Sequence, residues 1–203
     1  METVTFTSLV WLVYRLGATF ALGLPFVLLI WSSLKSEAAI SRLMSIYWKV
    51  ASLMLISMLL LIGGRPIGYI TSFCSPFLII CSIWFWIDLN EELEDQPKLK
   101  PLILTVRLWR WALTAYGCLY IYLSSLSLSC INSPIGQNCL IWQKIPHSLH
   151  LISQNIFSFL FGASWTQSLS SFVGYVAMII YLIGLIQFLI VRIPKQGRIA
   201  GGF

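Results

Sequence analysis

Long uncharged apolar runs, separated by short polar segments, dominate the chain. The first extends from about residue 16 to 34 and contains Pro25. The second extends from about 45 to 64 and contains one charge, Lys49, near its start. An α-helix of about 20 residues crosses the roughly 30 Å hydrocarbon core of a bilayer. Each run therefore predicts a membrane-spanning helix, and Pro25 is expected to kink the first one.

Three more spans are predicted further along the chain. The third covers about 67–87 and follows the turn residues Gly63 and Gly64, while the fourth covers about 111–130 and the fifth about 172–191. The pattern predicts an all-α integral membrane protein. Its single domain, residues 1–203, is expected to be a bundle of about five transmembrane helices.

The segment 151–171 has a different pattern from the spans. Serine, threonine, glutamine and asparagine interrupt its apolar residues, beginning with Ser153, Gln154 and Asn155. This mixture is typical of an interfacial or re-entrant helix and not of a helix that faces lipid. The uncharged stretch between Lys144 and Arg192 is nevertheless long enough for a sixth span.

The cationic residues are distributed unevenly over the two sides that five spans define. One side receives Lys35, Arg42, Lys49, Lys98, Lys100, Arg107, Arg110, Arg192, Lys195 and Arg198. The other receives Arg15, Arg65 and Lys144. Cytoplasmic segments are enriched in Lys and Arg, so the first side is predicted to be cytoplasmic. The N-terminus is then outside, or lumenal, and the C-terminus is cytoplasmic, whereas a sixth span would destroy the asymmetry.

Tryptophans support the same assignment. Trp31, Trp48, Trp84, Trp86, Trp109 and Trp111 fall at the span ends placed on the cytoplasmic side. Amphipathic indole rings favour the headgroup layer, so these six are expected to form an aromatic belt.

Composition and charge narrow the class of protein. The chain has 58% hydrophobic and 10% charged residues, which is too apolar for a water-soluble domain. Its net charge of +6 comes from cations scattered between apolar runs, without a basic tract. A lipid bilayer is therefore the expected environment, and nucleic acid is not an expected partner.

Cys130 and Cys139 flank a short loop, residues 131–138, on the side predicted to be outside the cytoplasm. Disulfides persist in such compartments, so the pair is a candidate bridge. The sequence leaves two unpaired thiols as the alternative, because it does not give the Cα separation.

An acidic cluster follows the third predicted span. It holds five of the seven carboxylates of the chain: Asp88, Glu91, Glu92, Glu94 and Asp95. If the third helix continues through it, these carboxylates lie near a helix C-terminus, where the macrodipole disfavours them. The cluster is a candidate docking surface for a partner protein or a clamp for Arg107 and Arg110. A solvated loop is the alternative.

Motifs for catalysis or cofactor binding are weak. The sequence shows no Ser, His and acid grouping and no Gly-rich phosphate loop, so the protein is predicted not to be an enzyme. His147 and His150 could hold a metal or pigment from one helical face, but two ligands do not define a metal site. An interfacial histidine pair is the alternative, and no cofactor or metal is predicted.

Four segments resemble a cyanobacterial family of small multi-span membrane proteins of unknown function. They are 46–52 (IYWKVAS), 84–92 (WFWIDLNEE), 109–111 (WRW) and 195–198 (KQGR). The resemblance covers nearly the whole chain, and 84–92 is its most specific part. It implies a thylakoid membrane location and an auxiliary role in photosynthetic complexes, with photosystem II subunits or assembly factors as partners.

The sequence thus predicts a non-catalytic accessory or assembly protein that binds a larger membrane complex. A small transporter or channel, with polar residues of 153–171 lining a cavity, is one alternative. Binding of chlorophyll or carotenoid through His147, His150, Gln154 or Asn155 is another.

Overall fold

The computed structural model describes residues 2–97, 100–132 and 136–200, and this part of the chain contains helices but no strand. Lys98 and three residues of the predicted 131–138 loop lie outside it. The α-helices are α1 (Glu2–Gly17), α2 (Leu24–Leu34), α3 (Ala38–Ile62), α4 (Pro66–Trp84), α5 (Ile87–Glu94), α6 (Pro101–Ser125), α7 (Gln137–Phe161), α8 (Gln167–Gln187) and α9 (Ile193–Gln196). Two π-helical turns, Ala18–Gly23 and Phe188–Arg192, join α1 to α2 and α8 to α9. A 3-10 helix covers Leu128–Ile131.

Four helical stretches are long and apolar enough to cross a membrane: Thr5–Leu34, Ala38–Ile62, Pro66–Trp84 and Gln167–Lys195. They overlap the first, second, third and fifth predicted spans, and together with the helical structure of the described residues they indicate an integral membrane protein. The fourth predicted span, 111–130, corresponds to α6, which starts earlier at Pro101 and ends earlier at Ser125. Because α6 includes Arg107 and Arg110, it is less apolar than the other four. Five crossings and their orientation stay predictions.

The second helix of the α3–α4 hairpin ends earlier than predicted. The α4 helix ends at Trp84 instead of 87, and Trp86 has an extended backbone, with φ −85° and ψ 113°. A separate short helix, α5, then begins at Ile87. The third helix therefore does not continue through the acidic cluster. Asp88 lies in the first turn of α5, where the macrodipole favours a carboxylate.

The segment 151–171 is divided between two helices. Its first part is the C-terminal half of α7, which ends where Gly162 adopts φ 64°. Its last part begins α8, whose first turn is capped by the Thr166 side chain, which accepts a hydrogen bond from the Leu169 N–H at 3.2 Å. One of the polar residues that distinguish this segment, Thr166, therefore serves to start α8.

Pro25 explains the first π-helical turn. The Leu24 N–H donates to the Thr19 carbonyl five residues back, and Pro25, which follows, has no N–H. The Phe20 carbonyl is thus left without an α- or π-type donor, and Ala21 loses its donor at i+4. Two side chains supply donors instead: Trp109 Nε1 lies 2.9 Å from the Phe20 oxygen, and the Tyr47 hydroxyl lies 2.5 Å from the Ala21 oxygen. The π-helical turn between α1 and α2 is therefore hydrogen-bonded to α3 and to α6.

The bundle is built around α3, which packs against α2, α4 and α8, while α4 also packs against α6. At one end, the connection between α2 and α3 meets the start of α6, where Lys100 Nζ lies 3.3 Å from Glu37 Oε1. We call this the α5 end. At the opposite end, Gln143 of α7 donates to the Tyr69 hydroxyl near the α3–α4 turn at 2.5 Å. We call this the α7 end.

Candidate docking surface at the α5 end

The C-terminal tail completes the junction between α4 and α5. The Ala200 N–H lies 2.8 and 2.9 Å from the two carboxylate oxygens of Asp88. In the other direction, the Ile87 N–H donates to the Arg198 carbonyl at 3.1 Å, and Arg198 Nε donates to the Phe85 carbonyl at 2.8 Å. Ile87 is the first residue of α5, so its N–H has no acceptor within the helix. The tail thus satisfies backbone groups that the helix break exposes.

Arg110 holds the same junction from inside. Its side chain is buried, donates to the Ile83 carbonyl and to Asn90 Oδ1, both at 2.5 Å, and stacks over the Trp84 ring at 4.1 Å. A buried guanidinium needs such acceptors because desolvation of an unpaired charge is costly. Arg110 therefore fixes the end of α4 and the middle of α5 against α6.

Arg107 binds the other end of α5. It donates to the carbonyls of Leu93 and Glu94 at 2.7 and 3.4 Å. A cation at a helix C-terminus is favourable there. The two arginines thus clamp α5, but their acceptors are backbone carbonyls and Asn90, not the predicted carboxylates.

The acidic cluster separates into carboxylates that bind other parts of the chain and carboxylates that are exposed to solvent. Asp88 holds the tail, and Glu92 forms an ion pair with Arg42 of α3 at 2.5 Å. Glu91, Glu94 and Asp95 are exposed to solvent. We call these three carboxylates the acidic face. It is presented by a helix whose inward residues are fixed on several sides, so its geometry is set by the fold.

Several contributors to this surface could not be recognised from the sequence alone. Asn90 was part of the 84–92 segment of the family resemblance but had no role assigned to it, and the contact of Ala200 with Asp88 joins positions separated by 112 residues. The sequence did not predict the Arg42–Glu92 pair either, although both residues were assigned to the same membrane side. The shared membrane side was the available signal. It limits which cations can pair with Glu92, but it does not identify Arg42 among them.

At the α7 end, Cys130 and Cys139 form a disulfide, with their Cα atoms 5.7 Å apart. Both residues are buried, and they join the 3-10 helix after α6 to the first turn of α7. The bridge therefore fixes where α7 begins relative to α6.

The histidine pair lies in α7, also at this end. His147 is exposed, and its Nε2 lies 2.8 Å from Gln167 Nε2, while His150 is buried. Burial and the adjacent His147 lower the pKa of His150, so neutral imidazole is favoured there. In the described parts of the chain, no three His, Cys, Asp or Glu side chains are grouped as metal ligands would be. Gln154 is half-buried and Asn155 exposed, one turn further along α7.

Residues 7–201 match the sequence model of a family described as "Protein of unknown function (DUF3177)". No curated protein and no solved structure matches the chain significantly.

Proposed function

We propose that this chain, a member of the DUF3177 family, is a non-catalytic accessory protein that binds a larger membrane complex through the acidic face on α5. The observation that carries the proposal is the division of the acidic cluster. Internal ion pairs and hydrogen bonds use Asp88 and Glu92, whereas Glu91, Glu94 and Asp95 remain exposed on one short, well-anchored helix.

Anchoring matters because a rigid surface loses less conformational entropy on binding than a flexible loop. Carboxylates in fixed positions also favour association with a basic surface and discriminate against an acidic one. Cytoplasmic loops of membrane proteins are rich in Lys and Arg, so a basic surface is a common feature of possible partners. The acidic face fits such a loop.

The finer part of the proposal rests on the family resemblance described from the sequence. It makes the membrane a cyanobacterial thylakoid and the partners photosystem II subunits or assembly factors. The α5 end is then cytoplasmic and the disulfide lumenal. The apolar helices support a bilayer location, and the organelle and partner belong to the proposal.

Affinity isolation of the tagged full-length protein in mild detergent tests the proposal. We expect the wild-type protein to retain a membrane complex, and the triple variant Glu91→Gln, Glu94→Gln, Asp95→Asn to retain several-fold less of it. The Glu37→Gln variant is the matched control, because Glu37 is an acid at the same end but is occupied by Lys100. Protein that purifies alone would contradict the accessory role, and equal retention by the triple variant would favour the solvated-loop interpretation.

The structure gives no specific support to the channel alternative. Its polar segment, 153–171, was expected to enter the bundle, but most of residues 151–169 are exposed on the outside of the molecule. The pigment alternative is decided by the absorption spectrum of the same isolated protein, since bound chlorophyll or carotenoid absorbs visible light.

A further inference from the structure

The α7 helix crosses the end of the bundle instead of running along it. Near its start, Cys139 is joined by the disulfide to the 3-10 helix that follows α6. One turn later, Gln143 donates to the hydroxyl of Tyr69, in the first turn of α4, at 2.5 Å. After another turn, His147 Nε2 lies 2.8 Å from the side-chain nitrogen of Gln167, the first residue of α8. Each contact is made at the end of a neighbouring helix, so α7 passes over the α7 end from α6 to α8.

The last part of α7 continues past its contact with α8. We call residues 151–161 the arm, and they form about 15 Å of helix. By their spacing of three and four, several apolar residues share one side of the arm: Ile152, Ile156, Phe159 and Leu160. Their exposed fractions lie between 55 and 88%. This apolar side is therefore left largely uncovered by the described parts of the chain.

The opposite side of the arm is polar but carries no charge. Gln154 is half-buried and Ser158 is exposed there, and the Ser158 hydroxyl donates to the Asn155 carbonyl at 3.0 Å. The sequence has no Lys, Arg, Asp or Glu between Lys144 and Arg192. A helix with one apolar and one polar side is suited to the surface of a bilayer. Without cations, its affinity for that surface must come from apolar burial and not from attraction to anionic lipids.

Lipid is the expected neighbour at the place where the arm begins. The α8 helix is part of the apolar stretch Gln167–Lys195, and only 6% of the most apolar part of that stretch is buried, so most of it is available to lipid. Because Gln167 contacts His147, α7 meets α8 where that stretch starts. The connection back to α8 also carries Trp165, whose ring packs on Phe157 with centroids 5.1 Å apart. Indole rings favour the headgroup layer.

We propose that the arm binds the lipid surface at the α7 end as an interfacial helix. The side that contains Ile156 and Phe159 inserts among the upper parts of the acyl chains, and the side that contains Ser158 faces the headgroups and water. The occupant of the exposed apolar side is thus the bilayer and not a second protein. Of the two structures that the sequence left open for 151–171, the interfacial helix is the one chosen. The inference does not depend on the proposed docking function.

Depth-dependent fluorescence quenching tests the inference. Ile156→Cys, in a background of Cys74→Ser, Cys81→Ser and Cys118→Ser, is labelled with a nitrobenzoxadiazole fluorophore and reconstituted into phosphatidylcholine vesicles that contain nitroxide-labelled lipids. We expect a nitroxide near the headgroup to quench it several-fold more than one at the end of the acyl chain, because interfacial helices insert by only about 5–10 Å. Ser158→Cys is the matched control. It is also exposed but lies about 200° around the helix, so lipid nitroxides should quench it several-fold less.

A second variant tests whether the apolar side is responsible. Phe159→Glu should reduce the quenching of the fluorophore at Ile156→Cys several-fold, because a carboxylate is costly among acyl chains. Phe159 is 88% exposed, so its replacement should leave the packing of the bundle intact. Gln154→Glu places the same charge on the polar side and should leave the quenching nearly unchanged.

Three outcomes would overturn the inference. Quenching of both labelled positions by aqueous iodide, with none by lipid nitroxides, would place the arm in water. Stronger quenching of both by the deep nitroxide would show a re-entrant segment. Protection of Ile156→Cys from both kinds of quencher, with self-quenching that rises with the ratio of protein to lipid, would assign the apolar side to a second copy of the chain.

Discussion

Pro25 removes one N–H from the middle of the first long helix, and two side chains from other helices supply donors to the carbonyls that it frees. The Trp109 indole and the Tyr47 hydroxyl are both buried, and their rings pack edge to face with centroids 5.2 Å apart. Water is absent from this depth of a bundle, so an unpaired carbonyl there is costly. The two donors therefore act on the stability of the first helix as well as on its position.

Tyr47→Phe and Trp109→Phe should each destabilise the protein. Loss of a single buried hydrogen bond costs about 1 kcal/mol, and Trp109→Phe adds a loss of packing volume. Thermal unfolding in detergent measures the effect. Tyr122→Phe is the control because the Tyr122 ring is 67% exposed on the same helix as Trp109. Unfolding temperatures equal to that of the control would contradict the role of the two donors.

The sequence placed six tryptophans at the span ends, but it did not show which of them are exposed and which are buried. Trp111 is exposed, as an aromatic belt requires, whereas Trp109 and Trp86 are buried in the core. Nothing local distinguishes Trp109 from Trp111, because both flank Arg110. The difference is made by the Phe20 carbonyl on a distant helix, and a sequence pattern does not contain that information.

Among the elements, α5 depends most on its neighbours. It has 8 residues, which is too short for a stable isolated helix. Arg107 and Arg110 bind it from α6, Arg42 binds it from α3, and the tail binds its first turn. The acidic face is therefore only as well ordered as these surrounding contacts.

Asp88→Ala should release the tail from α5. The bifurcated hydrogen bond from the Ala200 N–H is lost, and the expected cost is about 1 kcal/mol because Asp88 is only partly buried. Trypsin should then cleave after Lys195 or Arg198 several times faster than in the wild type. Asp95→Ala removes an exposed carboxylate of the same cluster and should not change the rate. A tail equally resistant in both variants would show that Asp88 does not hold it.

Apolar length predicted helices where α3, α4 and α8 lie, because burial in lipid demands long uncharged runs, but α3 and α8 begin earlier than the predicted spans, at Ala38 and Gln167. It did not predict the break between α4 and α5, since residues 84–92 have no proline or glycine. The break is stabilised by Arg110 and by the tail, both far away in sequence. The end of α7 was equally unexpected, although Gly162 was a possible signal, because glycine readily adopts the left-handed conformation that closes a helix.

Across the whole molecule, the contacts agree with the distribution of charge. The α2–α3 connection, α5 and the tail were assigned to one membrane side from their cations, and they meet at one end of the bundle. A crossing by α6 stays a prediction. The disulfide lies beyond the far end of that helix.

Single cysteines at Ser36, Ile199 and Asn132 test the number of crossings, in a background of Cys74→Ser, Cys81→Ser and Cys118→Ser. A membrane-impermeant thiol reagent should modify Ser36→Cys and Ile199→Cys from the same side. It should modify Asn132→Cys only from the opposite side, because α6 separates Asn132 from the α5 end. Labelling of Ser36→Cys and Asn132→Cys from the same side, with Ile199→Cys labelled from the other, would show that α6 does not cross and would reduce the count to four.

The contact between Asp88 and Ala200 has a consequence for biosynthesis. The two residues are 112 positions apart, so the ribosome adds Ala200 about 6–22 s after Asp88 at typical elongation rates of roughly 5–20 residues per second. During that interval the nascent α4–α5 junction lacks its contacts with the C-terminal tail, and a chaperone or insertase has time to bind it. Any docking through the proposed acidic face would then be delayed until the tail segment that contains Ala200 has been synthesised.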